Sequence, residues 1–297
     1  MITLGSSTSS TAPNTSLTHS GDVTVFLRAI ADETRRMIVQ ALARSDLRAG
    51  ELGAIVGAPS NALAFHLKRL SALGLLRRRP SSADARDVYY HLDVTRLRAL
   101  YAAAGVALYP GMLSAHFDEV GDQTHQPTSQ RAASSVASAS HRSGTALSQP
   151  LRVLFLCTHN SARSQMAEAL LRQMGGDQVE VFSAGSQPQA IPPETIATLQ
   201  ERGIPTDGLH PKPLNLFVNQ SFDYIITVCD RVREVCPAFT GNPAQAHWSI
   251  PDPMVIEDSE LRAKAFRDIL GELQTRIRYL LLLPHPATGE RFEPLAR

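Results

Sequence analysis

The 297-residue sequence predicts two unlike domains: a mainly α N-terminal unit with one β-hairpin, then an α/β three-layer unit built on a parallel sheet. Three observations predict this. Residues 1–19 and 119–150 are rich in Ser, Thr, Ala and Gln and lack any hydrophobic period. They read as a disordered tail and a flexible linker, because such segments bury too little apolar surface to offset their ordering entropy. They leave blocks at 20–118 and 151–297. The blocks also differ in charge: the first has 13 Lys and Arg against 9 Asp and Glu, the second 14 against 17, behind an overall balance of 29 to 28. Finally, the first block shows helical spacing and then a hairpin, whereas the second alternates short apolar runs with amphipathic helices.

Composition removes several classes. With 43% hydrophobic and 19% charged residues, the chain as a whole is not disordered. It has no run of eighteen apolar residues, so no membrane span is expected. The start, MITLGSSTSS, has neither a basic segment nor an apolar one, which reads as no secretory signal and a cytoplasmic protein. Three cysteines are too few for a disulfide scaffold and suggest thiols with chemical work.

In the first block, VFLRAIADETRRMIVQAL predicts two helices broken at Asp32, an N-cap residue. DLRAGELGAIVG predicts a short helix ending at Gly57, and Pro59-Ser60 opens a helix with Leu63, Leu67 and Leu70 on one stripe. Two short helices joined by a Gly-containing turn describe a helix-turn-helix. LLRRRP and DVYYHLD flank a polar stretch as a hairpin wing, and a last helix is expected over 94–117, interrupted at Pro110-Gly111. From Ala58 to Arg79 there are five basic residues and no acidic one. The expected DNA-facing residues are Ser60, Asn61, His66, Lys68 and Arg69 on the second helix, with Arg77, Arg78 and Arg79 on the wing. Polar residues at the start of the helix would reach base edges, and the basic ones would neutralise phosphates.

AIADETRRMIVQAL followed by NALAFHLKRLSALGLLRRR resembles the ArsR/SmtB family of metalloregulatory repressors over about 22–117. The resemblance implies a winged-helix homodimer on operator DNA that releases on binding metal or metalloid. The sensing residues depart from the family. No cysteine precedes Cys157, and His116 and Glu119 supply only half of a zinc site, with Gly105 where the other half needs a ligand. No metal site is expected.

The second block opens with a buried-strand run, Val153 to Leu156, then Cys157-Thr158-His159-Asn160-Ser161-Ala162-Arg163-Ser164, then a helix containing Met166, Leu170 and Met174. A C-x5-R-S loop between a strand end and a helix N-terminus aims several backbone N–H groups at one point. That point suits a tetrahedral oxyanion. Arg163 adds a bidentate clamp, Ser164 a hydrogen bond to the sulfur, and the same field stabilises a thiolate on Cys157. Strands are expected at 179–182 and 223–228, and helices at 193–202, in part of 231–235, and at 259–282. Asp252-Pro253 offers a carboxylate to protonate a leaving oxygen. Cys229 and Cys236 are seven apart. On an intact helix they would lie roughly 10 Å apart in rise, beyond the roughly 7 Å Cα limit of a disulfide. A bridge therefore requires that segment to loop out.

These features resemble arsenate reductases of the low-molecular-weight tyrosine-phosphatase fold, the thioredoxin-coupled class, over about 151–284. The resemblance implies that Cys157 attacks arsenate while Thr158 to Arg163 hold its oxygens and Asp252 assists departure of a hydroxyl. Cys229 then releases arsenite by forming a disulfide with Cys157, and Cys236 moves that bridge to the pair that thioredoxin reduces. Some relatives hold potassium beside the loop through an Asn, a Glu, a Ser and an Asp. Asn160, Glu168 and Ser183 match three of them, and Lys212 stands in place of the Asp, so no ion requirement and no cofactor are expected. The chain reads as a fusion of repressor and reductase. Two alternatives stay open: a tyrosine phosphatase, which would not need Cys229 and Cys236, and a regulator whose enzyme-like domain is a sensor.

Overall fold

The computed structural model describes residues 20–108, 149–286 and 289. The expected tail, most of the expected linker, Pro110-Gly111, His116 and Glu119 lie outside the described residues.

In the N-terminal domain, α1 (Ser20–Ala31) and α2 (Glu33–Arg44) part at Asp32, whose carboxylate accepts the Arg35 N–H at 2.9 Å. This is the expected N-cap. α3 (Ala49–Val56) ends at Gly57 with φ +64°, a conformation that strains residues bearing a Cβ. α4 (Ser60–Ala72) starts after Pro59 and buries Leu63, Leu67 and Leu70. β2 (Leu76–Pro80) and β3 (Val88–Leu92) form the antiparallel wing. A two-residue strand not anticipated from the sequence, β1 (Leu47–Arg48), adds to the other edge of β3. α5 (Val94–Leu108) returns across α1, with the Phe26 and Tyr101 rings edge to face at 5.0 Å. One hydrophobic cluster joins these helices, including Phe26, Ile38, Leu52, Leu70, Leu75 and Leu100. Each such fully buried side chain contributes on the order of 1.5–3 kcal/mol.

The C-terminal domain runs β4 (Leu151–Cys157), α6 (Arg163–Gly175), β5 (Val179–Gly185), α7 (Pro193–Gln200), β6 (Tyr224–Thr227), α8 (Asp230–Glu234), β7 (Ala244–His247) and α9 (Ser259–Leu280). Its four strands are parallel in the order β5-β4-β6-β7. Central β4 is flanked on both sides, which explains its uninterrupted apolar run. Two sequence expectations change. β5 continues past 182 to Gly185, because it pairs in register with β4 as far as Cys157↔Gly185. β7 was not anticipated, since Ala-Gln-Ala-His has little strand propensity and gains its conformation by pairing with β6.

A second hydrophobic cluster, separate from the first, fills this domain. The two domains meet through α2 against α9 and through polar groups. Asp46 is fully buried there. It accepts two bonds of 2.9 Å from the Arg276 guanidinium and one of 2.8 Å from the Ser249 N–H. The Trp248 indole N–H donates to the Arg44 carbonyl at 3.2 Å.

Candidate functional site

The C-x5-R loop joins the carboxyl end of β4 to the N-terminus of α6, where open parallel sheets bind ligands. It turns through Asn160 at φ +47° and packs on Gly185, where a Cβ would come within 2.7 Å of the Thr158 carbonyl oxygen. Cys157 is buried. Its sulfur lies 3.1 Å from the Asn160 N–H nitrogen and 3.1 Å from Ser164 Oγ.

The Asn160 side chain decides the direction of those bonds. Its Nδ2 donates to Ser164 Oγ at 2.9 Å and to Ser183 Oγ at 2.7 Å. Both hydroxyls must therefore send their own protons elsewhere: Ser164 toward the Cys157 sulfur, Ser183 toward Glu168. Asn160 Oδ1 accepts the Lys212 N–H at 2.7 Å, and Lys212 Nζ donates to Glu168 Oε2 at 3.0 Å. Asn160, Glu168, Ser183 and Lys212, singled out from the sequence, thus form one buried network under the loop.

The remaining loop residues follow the same plan. Thr158 and His159 are half-buried, and Ser161 and Ala162 are buried. The carbonyls of Thr158 and His159 accept the N–H groups of Gln187 and Gln189, which pins the outer side of the loop. Arg163 is buried, donating through Nη1 to the Ile250 carbonyl at 3.0 Å and through Nη2 to Asp252 Oδ2 at 2.9 Å. Asp252 also caps the turn at Pro253–Val255 by accepting the Met254 N–H. The carboxylate is thereby placed at the guanidinium of the loop.

Cys229 follows β6 and is buried, its sulfur 3.3 Å from Thr158 Oγ1. Burial pushes its thiol pKa up and charge on Cys157 adds to this, while Arg163 and Thr158 oppose it. Cys236 is half-buried beyond α8, and burial raises its thiol pKa as well. It lines a cavity of about 340 Å³ whose opposite wall is Ala41, Arg44, Leu47 and Ile55 of the N-terminal domain. The structure brings Cys157, Cys229, Arg163, Ser164 and Asp252 together and leaves Cys236 at the far end of α8.

On the N-terminal domain, Ser60, Asn61, Lys68 and Arg69 of α4 are exposed, with the Arg69 guanidinium 5.2 Å from the Phe65 ring centre. Arg77 and Arg78 are exposed on the wing. His66 and Arg79 differ from expectation. His66 turns inward, 3.6 Å from the Asp32 carboxylate at the start of α2. Arg79 reaches across to Glu272 of α9 at 3.8 Å. The wing tip is also engaged: Ser82 donates its N–H and its hydroxyl to Asp230 Oδ2 at 2.6 and 2.9 Å. Nothing in the sequence around Ser82 signals this, because its partner is 148 positions away.

A thiol held over a C-x5-R loop at the end of a parallel strand, with a carboxylate on the loop arginine, defines the low-molecular-weight phosphatase class of enzyme. Comparison with known proteins agrees. The family described as low molecular weight phosphotyrosine protein phosphatase matches residues 152–288, and a helix-turn-helix domain family matches residues 30–79. An arsenate reductase of Halalkalibacterium halodurans is 33% identical over 127 residues, 42% of this chain and 91% of that protein. One of Bacillus cereus is 35% identical over 120 residues, 40% of this chain and 88% of that protein. A solved thioredoxin-dependent arsenate reductase of Corynebacterium glutamicum is 36% identical, covering 45% of this chain and 61% of that one, with a TM-score of 0.37. The chain belongs to the arsenate reductase family of the low-molecular-weight phosphatase fold, and carries an ArsR-type helix-turn-helix domain ahead of it.

Proposed function

We propose that the C-terminal domain reduces arsenate to arsenite through Cys157, Cys229 and Cys236, with thioredoxin as the reductant, and that the N-terminal domain binds operator DNA. The observation that carries the enzymatic reading is the second buried thiol, Cys229, against Thr158 of the oxyanion loop. A phosphatase has no use for it.

The Cys157 thiolate attacks arsenic. The loop N–H groups from Thr158 to Arg163 and the Arg163 guanidinium hold the oxygens, and Asp252 gives a proton to the departing hydroxyl, which leaves as water. Bonding to arsenic removes the charge from Cys157. That charge is one of the influences raising the Cys229 thiol pKa, which Arg163 and Thr158 oppose. Cys229 attacks the Cys157 sulfur, and the S–As electron pair passes to arsenic, yielding arsenite and a Cys157–Cys229 disulfide. Cys236 attacks Cys229, expelling the Cys157 thiolate and leaving a Cys229–Cys236 disulfide for thioredoxin to reduce. Beneath the loop, Lys212 supplies a fixed ammonium on Glu168, which supports turnover without added potassium.

For the N-terminal domain, the exposed polar face of α4 supports major-groove entry. Val25, Leu27, Tyr101 and Leu108, exposed on α1 and α5, support a homodimer through those helices. No helix among the described residues is long and apolar enough to cross a membrane.

The test is arsenate-dependent NADPH oxidation with thioredoxin and thioredoxin reductase, beside Cys236→Ser. Turnover in the parent and at most one turnover in the variant is expected. Hydrolysis of an aryl phosphate without arsenate turnover would favour the phosphatase. Neither activity would leave the domain as a sensor.

A further inference from the structure

Three contacts from the N-terminal domain converge on the helix that separates Cys229 from Cys236. At the start of α8, Asp230 receives the Ser82 N–H and hydroxyl of the wing tip. In its middle, Arg233 ion-pairs with Glu51 of α3. At its end, Glu234 lies 3.4 Å from Arg48 Nη1. The Asp230 contact is charged and buried. Burial pushes its carboxyl pKa up, but hydrogen bonds from His247 at 3.0 Å and from Ser82 outweigh this and hold it well below the ordinary range. Tyr89 of β3 is fully buried beside them, with the Arg48 and Arg233 guanidinium groups 5.8 and 5.0 Å from its ring centre. A separate anchor is the Asp46 carboxylate, on Arg276 of α9 and the Ser249 N–H after β7, with the Asp46 N–H on the His247 carbonyl of β7. Of α8, Asp46 meets only Arg233, which reaches its backbone carbonyl at 3.4 Å.

We propose that the wing tip and α3 form a latch on the thiol segment, closed while Cys229 and Cys236 are thiols and opened when they join in a disulfide. It rests on the thiol relay proposed above. α8 stands between the extended Cys229 at its start and Cys236, two residues past its end, and a disulfide needs the two Cα atoms within roughly 7 Å. The bridge therefore unwinds α8, and Asp230, Arg233 and Glu234 leave the positions that Ser82, Glu51 and Arg48 recognise. Asp46 stays seated, so the N-terminal domain pivots rather than departs. Opening draws Ile55 of α3 off the cavity lined by Cys236, giving an external dithiol access to the bridge. It also returns the wing tip, and Arg79 beside it, to a surface that can meet a phosphate backbone. Linkage makes the coupling reciprocal: whatever holds the wing away from α8 favours the disulfide.

Making the bridge takes two electrons and two protons from the thiols. In turnover the electrons have passed to arsenic. In the test, diamide accepts both electrons and protons and becomes the hydrazine. The full chain is compared after a phosphine reductant and after diamide, with disulfides mapped by mass spectrometry and amide exchange read on the peptide covering 81–87. The expected result is a Cys229–Cys236 bridge with Ser82 amide exchange faster by roughly tenfold or more, the loss of one charge-assisted bond. Cys236→Ser treated alike keeps its protection. Ser82→Ala with Arg233→Ala, in the reduced state, already exchanges fast and forms the bridge severalfold sooner. A mapped bridge with the wing amides still protected would overturn the latch while the relay stands, and an unchanged bridging rate in the double variant would do the same. Absence of any Cys229–Cys236 bridge would remove both the relay and the latch.

Discussion

Glu168 and Asp46 are both buried carboxylates held by a cation, yet they serve different ends. Glu168 takes Lys212 Nζ, 44 positions away in the same domain, and its network ends on the Cys157 sulfur through Ser183, Asn160 and Ser164. Asp46 takes Arg276, 230 positions away in the other domain, and its network ends on no reactive atom. The first cluster fixes the C-x5-R loop around the Cys157 sulfur, and the second fixes where one domain sits on another. Burial of charge is therefore no guide to function here, and what matters is where the hydrogen-bond chain leads.

The sharpest break of that comparison is at the sulfur itself. Cys157→Ser is expected to lower arsenate turnover by roughly 10⁴-fold, with the urea midpoint unmoved, as read by coupled NADPH oxidation and urea unfolding. Next is the anchor. Asp46→Ala leaves Arg276 buried without its partner and should cost about 3–5 kcal/mol in urea unfolding, while turnover of the folded fraction stays within about twofold. Asp46→Leu with Arg276→Leu should recover most of the loss, and equal losses in single and double variants would contradict the pairing.

Lys212→Met tests the loop cluster from its far end. Removing the ammonium should raise KM for arsenate about tenfold and make turnover respond to potassium at constant ionic strength. The parent should not respond, and a clear rise in the parent would refute the role given to Lys212. A smaller effect separates His247 from Asp46 by pH. Burial holds the His247 pKa below its ordinary 6.5, partly offset by Asp230, so the neutral ring contributes full stability above that value and loses it as pH falls. For Asp46, burial raises the carboxyl, but Arg276 and His91 outweigh it and hold it well below the ordinary range. Its contribution persists to about pH 4 and is lost below. The protection of the amides at 81–87, taken against their intrinsic exchange rate at each pH, should thus fall in two steps on acidification. The smallest effect is on DNA. Arg69→Ala should weaken duplex binding and reduce the salt slope by about one, whereas Arg79→Ala in the reduced protein, already paired with Glu272, should leave the slope unchanged.

Much of the candidate site's geometry was legible because its signals are local. Cys157, Arg163 and Ser164 fall in one eight-residue run between an apolar strand and a helix, and backbone geometry alone brings such residues around one point. Asp32, Gly57 and Pro59 were legible for the same reason, since a cap or a positive φ is settled within a few residues. β7 and β1 were not, because their residues carry little strand preference and are extended only by the strand beside them. Arg79 was read as a phosphate contact from its charge and position, and only the packing of the domains turned it toward Glu272.

The sequence by itself determined two unlike domains, their main helices and strands apart from β1 and β7, the C-x5-R loop and the three thiols, because periodicity, capping and loop chemistry are properties of short stretches of chain. The tertiary structure alone decided that Asp46 is buried on Arg276, that Ser82 grips Asp230, and that Cys236 faces the helix-turn-helix domain. Those partners lie 148 to 230 positions apart, and at such separations no local preference selects a mate. What selects it is the free-energy cost of burying a charge, which only the assembled fold can offset with the matching group.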